Sequence, residues 1–190
     1  MSHPNPTASV TAAHLDHVAF PLGGLGAGMI CLEGTGAFSH VSLRHRPEVF
    51  HEPPMFAALW VEGAPTARVL EGPVPMWKAF GPPGSGNGRH NHFGLPRFAE
   101  AAFSWQFPFA GVTLADPAMP VSAELTGWSP FIPGDADDSG WPVAAVEYRL
   151  RNAGNAPVKA VFSFHARQFM NVADCPPAQV RPMDGGFVLS

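Results

Sequence analysis

The stretch Ser129 to Asn152, SPFIPGDADDSGWPVAAVEYRLRN, restricts the fold more than any other part of this chain. Pro130, Pro133 and Pro142 each fix φ and remove a backbone donor, so SPFIPGDADDSGWP is read as ordered turns and not as helix. Beyond Pro142 the pattern changes. Ala144, Val146, Tyr148 and Leu150 fall on one face, and Glu147, Arg149 and Arg151 on the other. Period-two alternation describes a half-buried strand.

The same signal recurs along the chain. Met29 to Leu32, Phe38 to His45, Phe56 to Glu62, Val112 to Asp116, Val121 to Trp128, Val143 to Leu150 and Val158 to His165 read as short strands between Gly, Pro, Asn or Asp clusters. Arg97 to Phe107 satisfies helical spacing and alternation equally well, and its strand neighbours decide for a strand. Val143 to Leu150 and Val158 to His165, joined by NAGNAP, are expected to form an antiparallel hairpin. Gly81 to Gly94 is too rich in Gly and Pro for packed structure and reads as a long surface loop. Residues 1 to 16 read as a flexible leader, with order beginning near Val18 and one β domain over 17–190. The expected fold is all-β, an antiparallel β-sandwich.

Composition narrows the function. The 11 Lys plus Arg are scattered, and the net charge of −4 offers no electrostatic footprint for a phosphate backbone, which disfavours nucleic acid as a partner. Cys31 and Cys175 define no disulfide framework, so reduced thiols and a cytoplasmic location are the expectation. The N-terminus has neither the basic nor the apolar region of a secretory signal. No 18-residue apolar run occurs, and no membrane span is expected.

Each chemical motif competes with a plainer reading. GGLGAG at Gly23 to Gly28 suggests a phosphate loop, but a dinucleotide fingerprint needs Gly where Met29 or Cys31 stands, and no Gly-Lys-Ser/Thr follows. A tight backbone turn explains it better, and no cofactor is implied. Asp135, Asp137, Ser139 and Gly140 match the first half of a calcium loop, yet Val146 occupies the position of its bidentate Glu. Capping, turn formation or contact with a neighbouring domain is the preferred role for these carboxylates, and a cation site of another type is the alternative. His90 and His92 lack a third ligand at a suitable spacing and read as solvated loop residues. Neither Ser85 nor Ser129 sits in a nucleophile elbow. Glu33, Glu48, Glu52, Glu62, Glu71, Glu100, Glu124 and Glu147 read as surface or strand-edge residues. Among the five tryptophans, Trp128 and Trp141 flank the Pro-rich loop. They are the candidates for stacking on a sugar or packing against another domain.

Three blocks carry a resemblance. PLGGLGAGMI at Pro21 to Ile30, FPFAGVTLADPAMPVSAELTGW at Phe107 to Trp128, and SPFIPGDADDSGWPV from Ser129 to Val143 together resemble the N-terminal region of glycoside hydrolase family 116, in the family's order. That family contains β-glucosidases and the non-lysosomal glucosylceramidase. The resemblance implies a two-sheet sandwich packed on an (α/α)6 catalytic barrel in the same longer protein. The nucleophilic Glu and the acid/base Asp belong to that barrel, so no catalytic residue is carried onto this chain. It implies hydrolysis of a β-glucoside with retention, the substrate being met through the barrel. Pro21, Gly23, Gly24, Gly26 and Gly28, with Ser129, Pro130, Phe131, Pro133, Asp135, Asp137, Asp138, Ser139 and Pro142, are then structural loop residues facing that barrel. The family's sandwich continues beyond the point aligned with Ser190, so the chain is expected to be a truncated, inactive portion. A free-standing carbohydrate-binding or interaction module is the alternative.

Overall fold

The computed structural model describes residues 8–44, 46–49, 51–80, 92–170 and 177–190. Thirteen strands are assigned: β1 Ala8–Thr11, β2 Ala19–Leu22, β3 Met29–Glu33, β4 Phe38–Ser42, β5 Met55–Val61, β6 Arg68–Val69, β7 Glu100–Gln106, β8 Phe109–Ala115, β9 Val121–Trp128, β10 Ala145–Asn152, β11 Ala160–Ala166, β12 Val180–Met183 and β13 Gly186–Leu189. Among the described residues, helix is confined to a 3-10 turn at Ala12–His17, α1 at Met76–Phe80 and α2 at Ala136–Ser139. All pairings between strands are antiparallel.

A five-stranded sheet runs in the order β1-β7-β8-β9-β10. Two three-stranded sheets, β2-β3-β4 and β11-β5-β6, supply the opposing surface, and β12-β13 forms a separate hairpin. Alternation does the sorting. In β9, Val121, Ala123 and Leu125 are buried while Ser122, Glu124 and Thr126 are not, and β5 buries Met55, Ala57, Leu59 and Val61 in the same rhythm. These residues join Leu32, Phe38, Phe103, Val112 and Leu114 in one core cluster between the layers. The fold is the expected all-β sandwich.

Gly127 marks how closely the layers approach. A Cβ there would lie 2.9 Å from Leu22 Cδ1 and 3.1 Å from Leu32 Cδ2. Gly127→Ala should therefore cost about 1–3 kcal/mol through overpacking. Urea unfolding monitored by tryptophan fluorescence checks this, and an unchanged midpoint would contradict it.

Several expectations need correction. β10 and β11 are not a hairpin: β10 pairs with β9 and β11 with β5, in different sheets. Their apolar faces meet across the gap instead, with Tyr148 and Phe162 ring centroids 5.4 Å apart. Alternation identifies the face a strand buries but not the strand beside it, and NAGNAP spans the layers. The leader reading fails at Ala8–Thr11, which pairs with β7 and packs Val10 against the core. A single inward apolar residue was too little signal. The Pro-rich segment contains one helical turn, α2, because Pro133 and Pro142 both lie outside its four residues. Of the glutamates read as surface residues, Glu33 and Glu71 are buried and Glu52 is half-buried, as described below. Of the predicted surface loop Gly81 to Gly94, residues 81–91 lie outside the described residues, as does Cys175.

Candidate functional site

The two motif-rich loops interlock. Pro21 lies in β2, opposite Cys31. The chain then turns through Gly23, Gly26 and Gly28, all at positive φ. Gly23 N–H donates to Ser129 Oγ at 2.7 Å, and Leu25 N–H donates to the Ser139 carbonyl at 2.8 Å. Gly24 is where the loops approach most closely: a Cβ there would sit 2.0 Å from the Trp141 carbonyl oxygen and 2.7 Å from Gly140 C. Glycine is required at this position by contact with another backbone, a demand distinct from φ.

The second loop holds its own shape. Asp135 caps α2, its carboxylate accepting from Asp138 N–H at 3.0 Å. The fully buried Ser139 hydroxyl accepts from Ile132 N–H and donates to the Ile132 carbonyl, satisfying a backbone pair with one side chain. Asp138 accepts from the Trp141 indole at 3.3 Å. Pro130 and Pro133 stiffen the approach to α2, and Pro142 the exit toward β10. Asp137 stands in the first turn of α2 beside Asp138. Capping and turn formation thus account for Asp135 and Asp138. Among the described residues, no three metal-capable side chains converge.

This framework presents apolar side chains outward. Trp141 is 59% exposed, and Leu25, Ile132 and Val143 are likewise open. Phe131 stacks edge-on against Phe107 at 4.8 Å, and both remain exposed. Trp128, 38% exposed, ends β9 opposite Phe109 and Ala145. One end of the sandwich therefore carries a rigid platform of large apolar groups. A contiguous exposed apolar surface of this kind marks an interaction site or a ligand-binding groove.

A second cluster escaped the sequence reading. Lys78, on α1, is 1% exposed, and its Nζ lies 2.5 Å from Glu33 Oε1 and 2.7 Å from Glu52 Oε1. Beside it, buried Glu71 bonds Arg97 Nε at 3.2 Å and His92 Nε2 at 3.4 Å. His92 is also stacked on Phe56 at 4.5 Å, so it is not a solvated loop residue. Burial holds the Glu52 carboxyl above the usual carboxylate range, against the opposing pull of Lys78. Burial, reinforced by Glu33, likewise pushes the Cys31 thiol up to about 11. The available signal was a single lysine inside the apolar run PMWKAF. Glu33 and Glu52 converge on one ammonium, Lys78 Nζ, and so do not face an open site as a glycosidase pair does.

Three carboxylates, Asp16, Glu100 and Glu124, are among the residues that line one of the larger surface depressions. A groove of about 820 Å³ runs over the Ala99–Ala102 end of the five-stranded sheet, lined mainly by small and apolar side chains. Glu124, on its rim, is engaged by Arg151 at 3.2 Å. A helix long and apolar enough to cross a membrane is absent among the described residues.

Fold and loops together define a layered antiparallel β domain built around two interlocked motif loops. The chain belongs to glycoside hydrolase family 116: the family model described as "beta-glucosidase 2, glycosyl-hydrolase family 116 N-term" matches residues 19–179. That span takes in both motif loops and the strands between them. No curated protein matches the chain.

Proposed function

We propose that this domain is the non-catalytic sandwich of a retaining β-glucosidase or glucosylceramidase-type hydrolase. Its interlocked loops buttress a helical catalytic domain of the same protein, and the nucleophile and general acid belong to that second domain. The observation that carries this reading is the platform itself. Gly24, Ser129 and Ser139 commit partly buried hydrogen bonds and close backbone contact to fixing a surface whose exposed residues are Leu25, Phe131, Ile132 and Trp141. A β-glucoside would meet the neighbouring domain and not this one. A cytoplasmic setting is part of the same proposal and agrees with Cys31 as a free, buried thiol.

The purified chain is expected to leave an aryl β-glucoside intact. It should bind the helical catalytic domain of a family member, and Trp141→Ala paired with Leu25→Ser should weaken that association at least about tenfold by removing central apolar anchors. Hydrolysis by the chain alone would refute the division of labour. The exposed Trp128 and Trp141 favour one second reading, a sugar-binding platform. Quenching of their fluorescence by glucosides, lost in Trp128→Ala or Trp141→Ala, would replace the buttress reading with it.

A further inference from the structure

The tip of the β2–β3 hairpin has a second neighbour. On its β2 side it meets segment 139–141 through Gly24 and Leu25, and on its β3 side it meets the exit of β4, where Met29 pairs with Ser42. At Gly28, whose φ is 97°, a Cβ would lie 2.4 Å from the Ser42 carbonyl oxygen and 3.5 Å from Leu43 Cα. Residues 43–51 then leave and return as a loop closed at its neck. Val41 N–H donates to the His51 carbonyl at 3.1 Å, and the buried Ser42 hydroxyl accepts from Glu48 N–H at 2.9 Å and donates to the His40 carbonyl at 3.1 Å. His40 and Arg44 are held at positive φ, 51° and 55°, a conformation that side chains adopt at a cost and that the surrounding contacts must impose. Arg46 N–H donates to the Leu43 carbonyl at 3.1 Å, which turns Arg46 back toward the hairpin tip.

Three loops therefore stand side by side at one end of the β2-β3-β4 sheet, and their charges are segregated. The α2 flank carries Asp137, exposed and with no side-chain partner among the described residues. The centre carries the open apolar groups Leu25 and Trp141. The far flank carries Arg46, also exposed and without an ion pair among the described residues. Glu48, the acid of that loop, is engaged by His51 Nδ1 at 3.0 Å. Opposite charges on the two sides of an apolar centre give a surface direction. A partner of complementary charge is drawn in one orientation and repelled in the reversed one.

We propose that residues 43–51 form the basic flank of the surface that docks the helical catalytic domain, with Arg46 facing carboxylates of that domain and Asp137 facing a cation. The proposal rests on the buttress reading and adds the orientation of the partner. Arg46→Glu and Asp137→Lys should each lower the association rate constant at least about threefold at low ionic strength. Both rates should converge on that of the unaltered chain in about 1 M salt, where the Debye length is only about 3 Å. The two substitutions change net charge in opposite directions, so attraction by overall charge would slow one and speed the other. Slowing of both is the signature of local complementarity. Stopped-flow mixing with the helical catalytic domain of a family member measures these rates. If Trp141→Ala with Leu25→Ser weakens the complex while either charge reversal leaves the rate unchanged or raised, the orientation proposal is overturned and the buttress reading stands. An unaltered chain that does not bind the domain overturns both.

Discussion

Lys78→Met is expected to destabilise the domain by about 3–5 kcal/mol, the usual consequence of removing one partner from a buried ion pair. The methionine keeps most of the volume, so lost packing contributes little. What changes is that Glu33 and Glu52, both nearly sealed from water, lose the ammonium they share. In the parent chain burial already raises the Glu52 carboxyl above its unfolded value, with Lys78 working against that rise. A raised folded pKa means that the native state holds its proton longer than the unfolded chain does. The stabilising contribution of that group is complete below the unfolded pKa and is lost as the pH climbs through the folded one. Taking away Lys78 removes a lowering influence, so the deficit of the variant should widen from mildly acidic toward neutral pH. Urea denaturation at both pH values measures it. A deficit under about 1 kcal/mol, or one independent of pH, would show that the ammonium is not the required counter-charge.

Gly24→Val is expected to separate the two motif loops. A Cβ at 2.0 Å from the Trp141 carbonyl oxygen leaves no room, and the obstacle is backbone, which cannot rotate aside as a side chain can. Either loop must withdraw, taking with it the Leu25-to-Ser139 bond and the alignment of Trp141 with Leu25. Overpacking of this kind costs about 1–3 kcal/mol and occasionally more. The effect on association should exceed the effect on stability, since the apolar side chains survive but their arrangement does not. Binding to the helical catalytic domain should fall by more than about tenfold while the sheets stay folded by circular dichroism. Retention of full binding would mean that the interlocked geometry is not what the second domain recognises.

Much of the fold was legible because one physical rule produces it. Val146, Tyr148 and Leu150 were placed on a single face by alternation alone, and they line the same cleft in the structure. The strand at Arg97 to Phe107 was resolved by its neighbours and is present as β7. The motif loops were also recognisable, since their glycines and prolines restrict the backbone locally. Their mutual contact was not. Nothing in GGLGAG states that Gly24 must admit the backbone of residues 140 and 141, because the demand comes from a segment more than a hundred residues away. The acid cluster was hidden for the same reason. Glu33, Glu52 and Glu71 look alike in sequence to the exposed Glu62 and Glu147, and only Lys78 and Arg97, arriving from elsewhere in the chain, make their burial affordable.

The sequence by itself determined which segments are extended, which face of each is apolar, where the chain must turn, and the family to which the whole belongs. These depend on side-chain period and on the φ preferences of proline and glycine, properties carried by a residue and its near neighbours. Tertiary structure alone decided that β10 and β11 occupy different sheets, that two distant loops close on one another at Gly24, and that Lys78 gathers two carboxylates in the interior. Those outcomes arise from packing between segments remote in the chain, where steric fit and the cost of an unpaired buried charge select among partners that local pattern leaves equivalent.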